Sequence, residues 1–257
     1  MEFLTEAEPA RDIAIPVAPG ISRIVACNPG PMTYHGTNTY LIAGPDGTLV
    51  LDPGPDDHRH VQTILHTTGG RVAGILLSHA HRDHVGALPA LHAATGAPTH
   101  DVHHLNDGDT VAGWTVLHTP GHAADHLCFA GADGIIFTAD HVMTWSTSVV
   151  SDMAAYVASL QRLLARHDRL LLPGHGPPLA EPGTYLRHLL AHRQQREAAV
   201  LAAVAAHPRT PAALVDILYA PIDPRLRAAA ERNVLAHLLK LHTEGRAAPQ
   251  GECWHAA

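Results

Sequence analysis

Directly after the apolar run Gly74-Ile75-Leu76-Leu77-Ser78 the chain reads His79-Ala80-His81-Arg82-Asp83-His84, three imidazoles and a carboxylate within six residues. Such a cluster cannot be packed into a core unless its polar groups are paired or ligate a metal. The fold must therefore deliver it to the mouth of a strand-to-helix turn, where partners from elsewhere can converge on it. The chain holds 23 histidines in all, and since imidazole is both the commonest metal ligand and an ordinary surface residue, position has to decide which of them matter.

Four further segments supply partners: Asp52 in LVLDPG, His122 in TPGH, Asp140 in FTAD and His175 in LLPGHG. Each follows a strand-like run or sits beside a glycine, which lets the backbone bend and turn the side chain inward. Asp52 reads either as a direct ligand or as a carboxylate that orients one. Mixed imidazole and carboxylate donors suit Zn(II), with Fe or Mn as alternatives, and a closely spaced pair of such ions can bring a shared water to its hydroxide form near neutral pH.

Short β-branched runs bounded by Gly, Pro and Asp predict strands at Ile21–Ala26, Thr39–Ala43, Thr48–Leu51, Val72–Leu77, Thr115–Leu117, His126–Phe129, Ile135–Phe137 and Leu170–Leu172. Amphipathic stretches at Asp56–Thr67, Asp83–Thr95 and Asp152–Arg166 predict helices between them. From Pro182 an Ala, Leu, His and Arg pattern takes over, broken at His207–Pro211 and Ala220–Pro224, which predicts three helices; Glu244–His255 then predicts a small hairpin. The expectation is an α/β catalytic domain over residues 1–185 and a winged-helix-like domain over 186–257.

Composition narrows the function classes. Residues 1–185 carry 8 Lys and Arg against 18 Asp and Glu, and residues 186–257 carry 9 against 6. Two divalent ions would offset part of the acidic excess; the basic balance of the tail reads either as weak anion attraction or as a solvated helical face. No run approaches the ~20 apolar residues of a membrane span. Cys27, Cys128 and Cys253 are an odd, scattered set that supports neither a disulfide framework nor a zinc ribbon, so a reducing cytoplasm is the expected location. Aromatics at 4% and an acidic larger region speak against double-stranded DNA as a partner.

The chain resembles the metallo-β-lactamase superfamily, and within it the β-lactamase-like protein 2 endoribonuclease branch that ends in a winged helix. The resemblance is carried by GTNTYLI from Gly36, LDPGP from Leu51, SHAHRDHVGAL from Ser78, HTPGHAADHLCF from His118, TADHV from Thr138, PGHG from Pro173 and YLRHLLAHRQQRE from Tyr185. It implies a four-layer αββα sandwich in which His79, His81 and His122 hold one metal, Asp83, His84 and His175 hold a second, and Asp140 bridges. Asp83 and Asp140 are then the catalytic carboxylates, and two Zn(II) ions, or Fe or Mn, the cofactors. Ser78, Ala123 and Ala139 stand where such proteins often carry Thr, a hydroxyl residue and Gly. Asp140 stands where zinc β-lactamases commonly have Cys or another residue, which points away from β-lactam hydrolysis.

The resemblance implies cleavage of phosphodiesters in single-stranded RNA by hydroxide. Composition leaves open a small ester, thioester or lactone, and a non-catalytic metal-binding regulator is the third class. Tyr185, Arg187, His188, His192, Arg193 and Arg196 read either as an anion clamp over the metal cleft or as a helix packed on the core with its arginines in solvent. His118 and His141 neighbour motifs and read as donors to a ligand or as proton sources. His58, His60, His66, His92, His207, His237 and His242 read as surface or packing residues.

Overall fold

A computed structural model describes residues 2–257. Its first sheet takes β1 (Ile15–Ala18), β2 (Ile21–Val25), β3 (Asn38–Gly44), β4 (Gly47–Leu51), β5 (Val72–Leu76) and β6 (Thr99–His100) in that spatial order. The first four are antiparallel neighbours, whereas β4, β5 and β6 run parallel. Parallel neighbours need crossovers, supplied by α1 (His58–Thr68) and by the pair α2 (Arg82–Val85) and α3 (Leu88–Thr95). The second sheet orders β7 (Thr110–Val111), β8 (Trp114–His118), β9 (Leu127–Ala130), β10 (Ile135–Ala139), β11 (Leu170–Pro173) and β12 (Leu179–Ala180), with α4 (Met153–Leu164) crossing between the parallel β10 and β11.

The continuous apolar strands follow from burial on both faces. Alternate residues Tyr40, Ile42, Leu49, Leu51 and Leu76 face Val116, Leu127, Phe129, Ile135, Phe137 and Leu172 across the sheets. Their neighbours Leu41, Val50 and Ile75 turn outward onto Ile64 of α1 and Leu91 of α3, and Cys128, Ile136 and Leu171 turn onto Met153, Tyr156 and Leu160 of α4. The result is the expected four layers, helix, sheet, sheet, helix.

Two expectations need correction. The helix expected over 83–95 is broken, because Ala87 N donates at 2.9 Å to Gly54 O, outside the helix, instead of continuing the ladder; Gly86 before it admits the close approach of Asp56 N, which would stand 2.5 Å from a Cβ there. The chain restarts as α3 with Pro89 in its first turn, where a missing N–H costs nothing. The short strands β1, β6, β7 and β12, two to four residues each, carry too little periodicity to be read from sequence.

After the sandwich come α5 (Gly183–Ala206), α6 (Pro211–Leu218), α7 (Arg227–Thr243) and the antiparallel hairpin of β13 (Ala247–Gln250) and β14 (Cys253–Ala256), matching the three helices and hairpin expected. Thr210 caps α6 by accepting from Ala213 N, and Val200, Val204, Leu214, Val215, Val234, Leu238, Leu241 and Trp254 form a core of their own. α5 serves both cores without interruption: Tyr185, Leu186 and Leu189 pack under the second sheet, Val200 and Val204 in the tail. Among the described residues no helix is long and apolar enough to cross a membrane, and Cys27, Cys128 and Cys253 are free thiols.

Candidate metal centre

The loops at one edge of the sandwich bring all seven sequence-selected ligands together. The donor atoms of His79, His81, His122 and Asp140 lie within 4.8 Å of one another, and so do those of Asp83, His84 and His175. In the first group three ring nitrogens converge: His81 Nδ1 is 2.9 Å from His79 Nε2 and 3.0 Å from His122 Nε2. In the second, His175 Nε2 is 3.3 Å from Asp83 Oδ2, and His84 Nε2 is 3.6 Å from it.

Asp140 faces both groups. Its Oδ2 lies 3.6 Å from His122 Nε2, while its Oδ1 lies 3.4 Å from both His84 Nε2 and His175 Nε2. Gly174 makes room for it, since a Cβ at 174 would stand 2.6 Å from Asp140 Oδ1 and 2.9 Å from His84 Cε1. Ala139, in the position where glycine is frequent, has φ of 39°, so an ordinary residue bears left-handed backbone just ahead of this carboxylate.

Polar groups behind the ligands fix their rings. Asp52 is 2% exposed; its Oδ1 accepts from Ser78 N at 2.8 Å, and its Oδ2 accepts from Ser78 Oγ and pairs with His84 Nδ1 at 2.8 Å. It therefore faces the far side of His84 and joins neither donor group. Ser78 Oγ also meets His79 Nδ1 at 2.9 Å, His122 Nδ1 donates to Val149 O at 2.7 Å, and His175 Nδ1 meets Gly36 O at 3.2 Å. A ring whose one nitrogen donates to a carbonyl presents the other as a lone pair.

The donor set fits metal ions. His84 Nε2, His175 Nε2 and Asp140 Oδ1 are buried and have no hydrogen-bond partner, a cost that a cation between them would remove. Burial and neighbouring imidazoles push the pKa of His79 well below the ordinary value, and burial lowers that of His122. Burial opposes charge on His84 and Asp140 too, yet their attraction for one another and for His175 and Asp52 holds Asp140 well below, and His84 well above, the usual range.

His81, Asp83, His122 and Asp140 open into a cavity of about 340 Å³. Its other walls are largely apolar, with Met32, Met143, Trp145 and Val149 from the sandwich and Tyr219, Ile222, Leu226 and Ala229 from the tail. Arg232 and Asn233 of α7 complete it.

The residues read as an anion clamp lie elsewhere. Arg193 is 2% exposed and donates to Ser148 O at 2.7 Å; the Tyr185 hydroxyl donates to Met143 O at 2.8 Å. Arg187 is an exposed residue bonded to Thr184 Oγ1, His188 is exposed, His192 is half-buried, and Arg196 donates to Leu218 O; none of the six lines the cavity. His118 is exposed and bonded to Ala124 O, away from the ligands, and the rings of His141 find no partner at either nitrogen. Sequence reasoning missed Arg232, Asn233 and Trp145, which only the folding of α7 and the 143–151 segment over the ligands brings to the cavity. It also missed the buried His126, whose ring centroid is 5.2 Å from that of His79; its place within HTPGHAADH was the available signal.

Two apposed sheets between helices, with clustered His and Asp at their loop edge and a winged-helix end, define an αββα sandwich with a candidate metal centre. The metallo-beta-lactamase superfamily profile matches residues 32–107, and that of the beta-lactamase associated winged helix domain matches residues 210–254. The chain is 30% identical over 259 residues to the beta-lactamase-like protein 2 homolog of Drosophila melanogaster, covering 88% of this chain and 89% of that one. It belongs to the metallo-β-lactamase superfamily, and to its β-lactamase-like protein 2 branch.

An atrochrysone carboxyl ACP thioesterase of Claviceps purpurea is 31% identical over 205 residues, covering 73% of this chain and 66% of the relative. Among solved structures, a beta-lactamase domain protein from Burkholderia ambifaria superposes with a TM-score of 0.83 at 21% identity, over 98% of this chain and 96% of that one. Another, solved in a di-iron-bound form, is 28% identical with a TM-score of 0.54, over 63% of this chain and 96% of its own.

Proposed function

We propose that this superfamily hydrolase holds two transition-metal ions and cleaves a small acyl thioester or ester. The observation that carries the reading is the cavity: the two donor groups open into a mostly apolar chamber of about 340 Å³, whose single cationic lining residue is Arg232. An acyl chain fits such walls, whereas a polynucleotide backbone needs a basic groove. The arginines that could have formed a groove, Arg193 and Arg196, spend their donors on the carbonyls of Ser148 and Leu218.

His79, His81 and His122 would hold one ion, Asp83, His84 and His175 the other, and Asp140 would serve both. Such a pair polarises the reacting carbonyl and supplies hydroxide at neutral pH. The chain's own part is to aim the imidazoles, through Asp52, Ser78, Val149 O and Gly36 O. The apolar walls exclude water from the acyl chain and orient the carbonyl toward the donor cluster. The oxygen of water then joins the acyl carbon, the C–S or C–O bond breaks, and the departing thiol or alcohol takes up a proton. Zinc, iron and manganese all suit these donors; the relative bound to two irons and the relative named as a thioesterase support this reading.

The test is elemental analysis of the purified protein followed by turnover of an acyl thioester, an ester, a lactone, a β-lactam and a short single-stranded RNA. Thioester or ester turnover that disappears in His122→Ala is expected. RNA cleavage alone, abolished by the same change, would transfer the site to phosphodiester chemistry, and a protein that binds no metal would overturn the reading.

A further inference from the structure

The segment 143–151 is neither helix nor strand, yet it forms a wall of the cavity and carries the carbonyl that fixes His122. A segment without a backbone ladder takes its shape from the groups it is tied to. Ser148 Oγ donates to Asp140 O at 2.6 Å and to His141 O at 3.0 Å, Val149 O accepts from His122 Nδ1 at 2.7 Å, and Val150 N donates to Asn233 Oδ1 at 2.7 Å. Ser148 O in turn accepts from Arg193 Nη2 at 2.7 Å. Three consecutive residues thus have the metal ligands on one side and two tail helices on the other, Arg193 on α5 and Asn233 on α7.

Both tail residues are placed at a cost. Arg193 is a nearly fully buried guanidinium held by a carbonyl and by the face of Tyr156, its carbon 4.9 Å from the ring centroid, while its Nε has no partner. Asn233 is 6% exposed in the middle of a helix whose other buried residues are mostly apolar. Burying such groups is unfavourable unless their bonds are needed.

We propose that Arg193 and Asn233 are positioning residues for the first metal position. Together they hold the Ser148–Val150 backbone so that the Val149 carbonyl fixes the His122 ring. The second position has no such dependence, because His84 and His175 are oriented by Asp52 and Gly36 O from within the sandwich. The proposal rests on the two-metal reading above.

The experiment loads the full chain with zinc, dialyses it against chelator-buffered zinc over a range of free concentrations, and counts bound equivalents by elemental analysis. Wild type should retain two equivalents to the lowest free zinc. In Asn233→Ala one equivalent should leave at about 10- to 100-fold higher free zinc, the range seen when groups behind a ligand are removed, with the other unmoved. Asn233→Asp keeps an acceptor for Val150 N and should restore the first affinity. Arg193→Met, which removes the donor to Ser148 O, gives a second variant should Asn233→Ala fail to fold, and should shift the same equivalent. Unchanged affinities, or equal weakening of both equivalents as general destabilisation would give, overturn the proposal. A wild type that retains no zinc overturns the two-metal reading itself.

Discussion

The two donor groups are built differently. The first has an exposed member, His81, and its third imidazole, His122, is oriented by an irregular segment tied to the tail helices. The second lies deeper, with His84 fully buried and His175 1% exposed, and Asp52 and Gly36 from the first sheet's loops set their rings. The contrast teaches that one site can draw on two scaffolds: a buried half that comes with the sandwich, and an accessible half that needs the neighbouring helices in place. His81 and His122 of the first group and Asp83 of the second line the cavity, while His84 and His175 do not.

The largest expected effect removes the residue common to both halves. Asp140→Ala should lower turnover by on the order of 10³-fold or more, as loss of several kcal/mol of charge stabilisation implies, and should deplete both metal equivalents. Retention of both in elemental analysis would show that the carboxylate does not join the halves. Next, Asp52→Ala should weaken metal binding about 10- to 100-fold at the second position, where it holds His84 directly, and less at the first, which it reaches only through Ser78 and His79. If instead the first equivalent leaves, the assignment of scaffolds is reversed.

A smaller effect comes through pH. His60 is buried against Thr39, whose hydroxyl donates to Asp52 O, and burial pushes its pKa from 6.5 down to about 4. The unfolded chain protonates first, so its contribution to stability is complete above pH 6.5 and is lost as pH falls toward about 4. The slope over that window approaches about 1.4 kcal/mol per pH unit and should flatten in His60→Gln, measured by denaturant unfolding of the apoprotein. Equal slopes in both proteins would remove His60 from the account. The smallest change is Arg232→Ala, which should raise KM severalfold for acyl substrates bearing a carboxylate or phosphate, with both metals retained. A KM shift of the same size for uncharged esters would mean that Arg232 contributes packing instead.

The convergence of the seven candidate donors was legible because each sits in a short local signal, a strand end followed by glycine or by another histidine, and the turns that aim them are encoded within a few residues. His79, His122, Asp140 and His175 come from four such signals that the two sheets bring to one edge. The four layers were legible for a related reason, since strands buried on both faces must be apolar throughout. Arg193 was misread because a cation on an amphipathic helix carries no mark of the face it will bury. Asn233 and Arg232 went unnoticed because their roles exist only once α7 lies across the 143–151 segment. The break after Gly86 was hidden for a similar reason: the group that takes Ala87 N out of the ladder is the carbonyl of Gly54, distant in sequence.

α5 runs unbroken for 24 residues through both hydrophobic cores, so the point at which the chain leaves the sandwich is not a point at which it can be divided. A truncation within this rod would strip the cover from the second sheet and bare greasy surface on the remaining piece. Chimeras that exchange tails between relatives should therefore be spliced upstream of Gly183, carrying the whole rod with the donor's end, and should import residue 193 and residue 233 as a set.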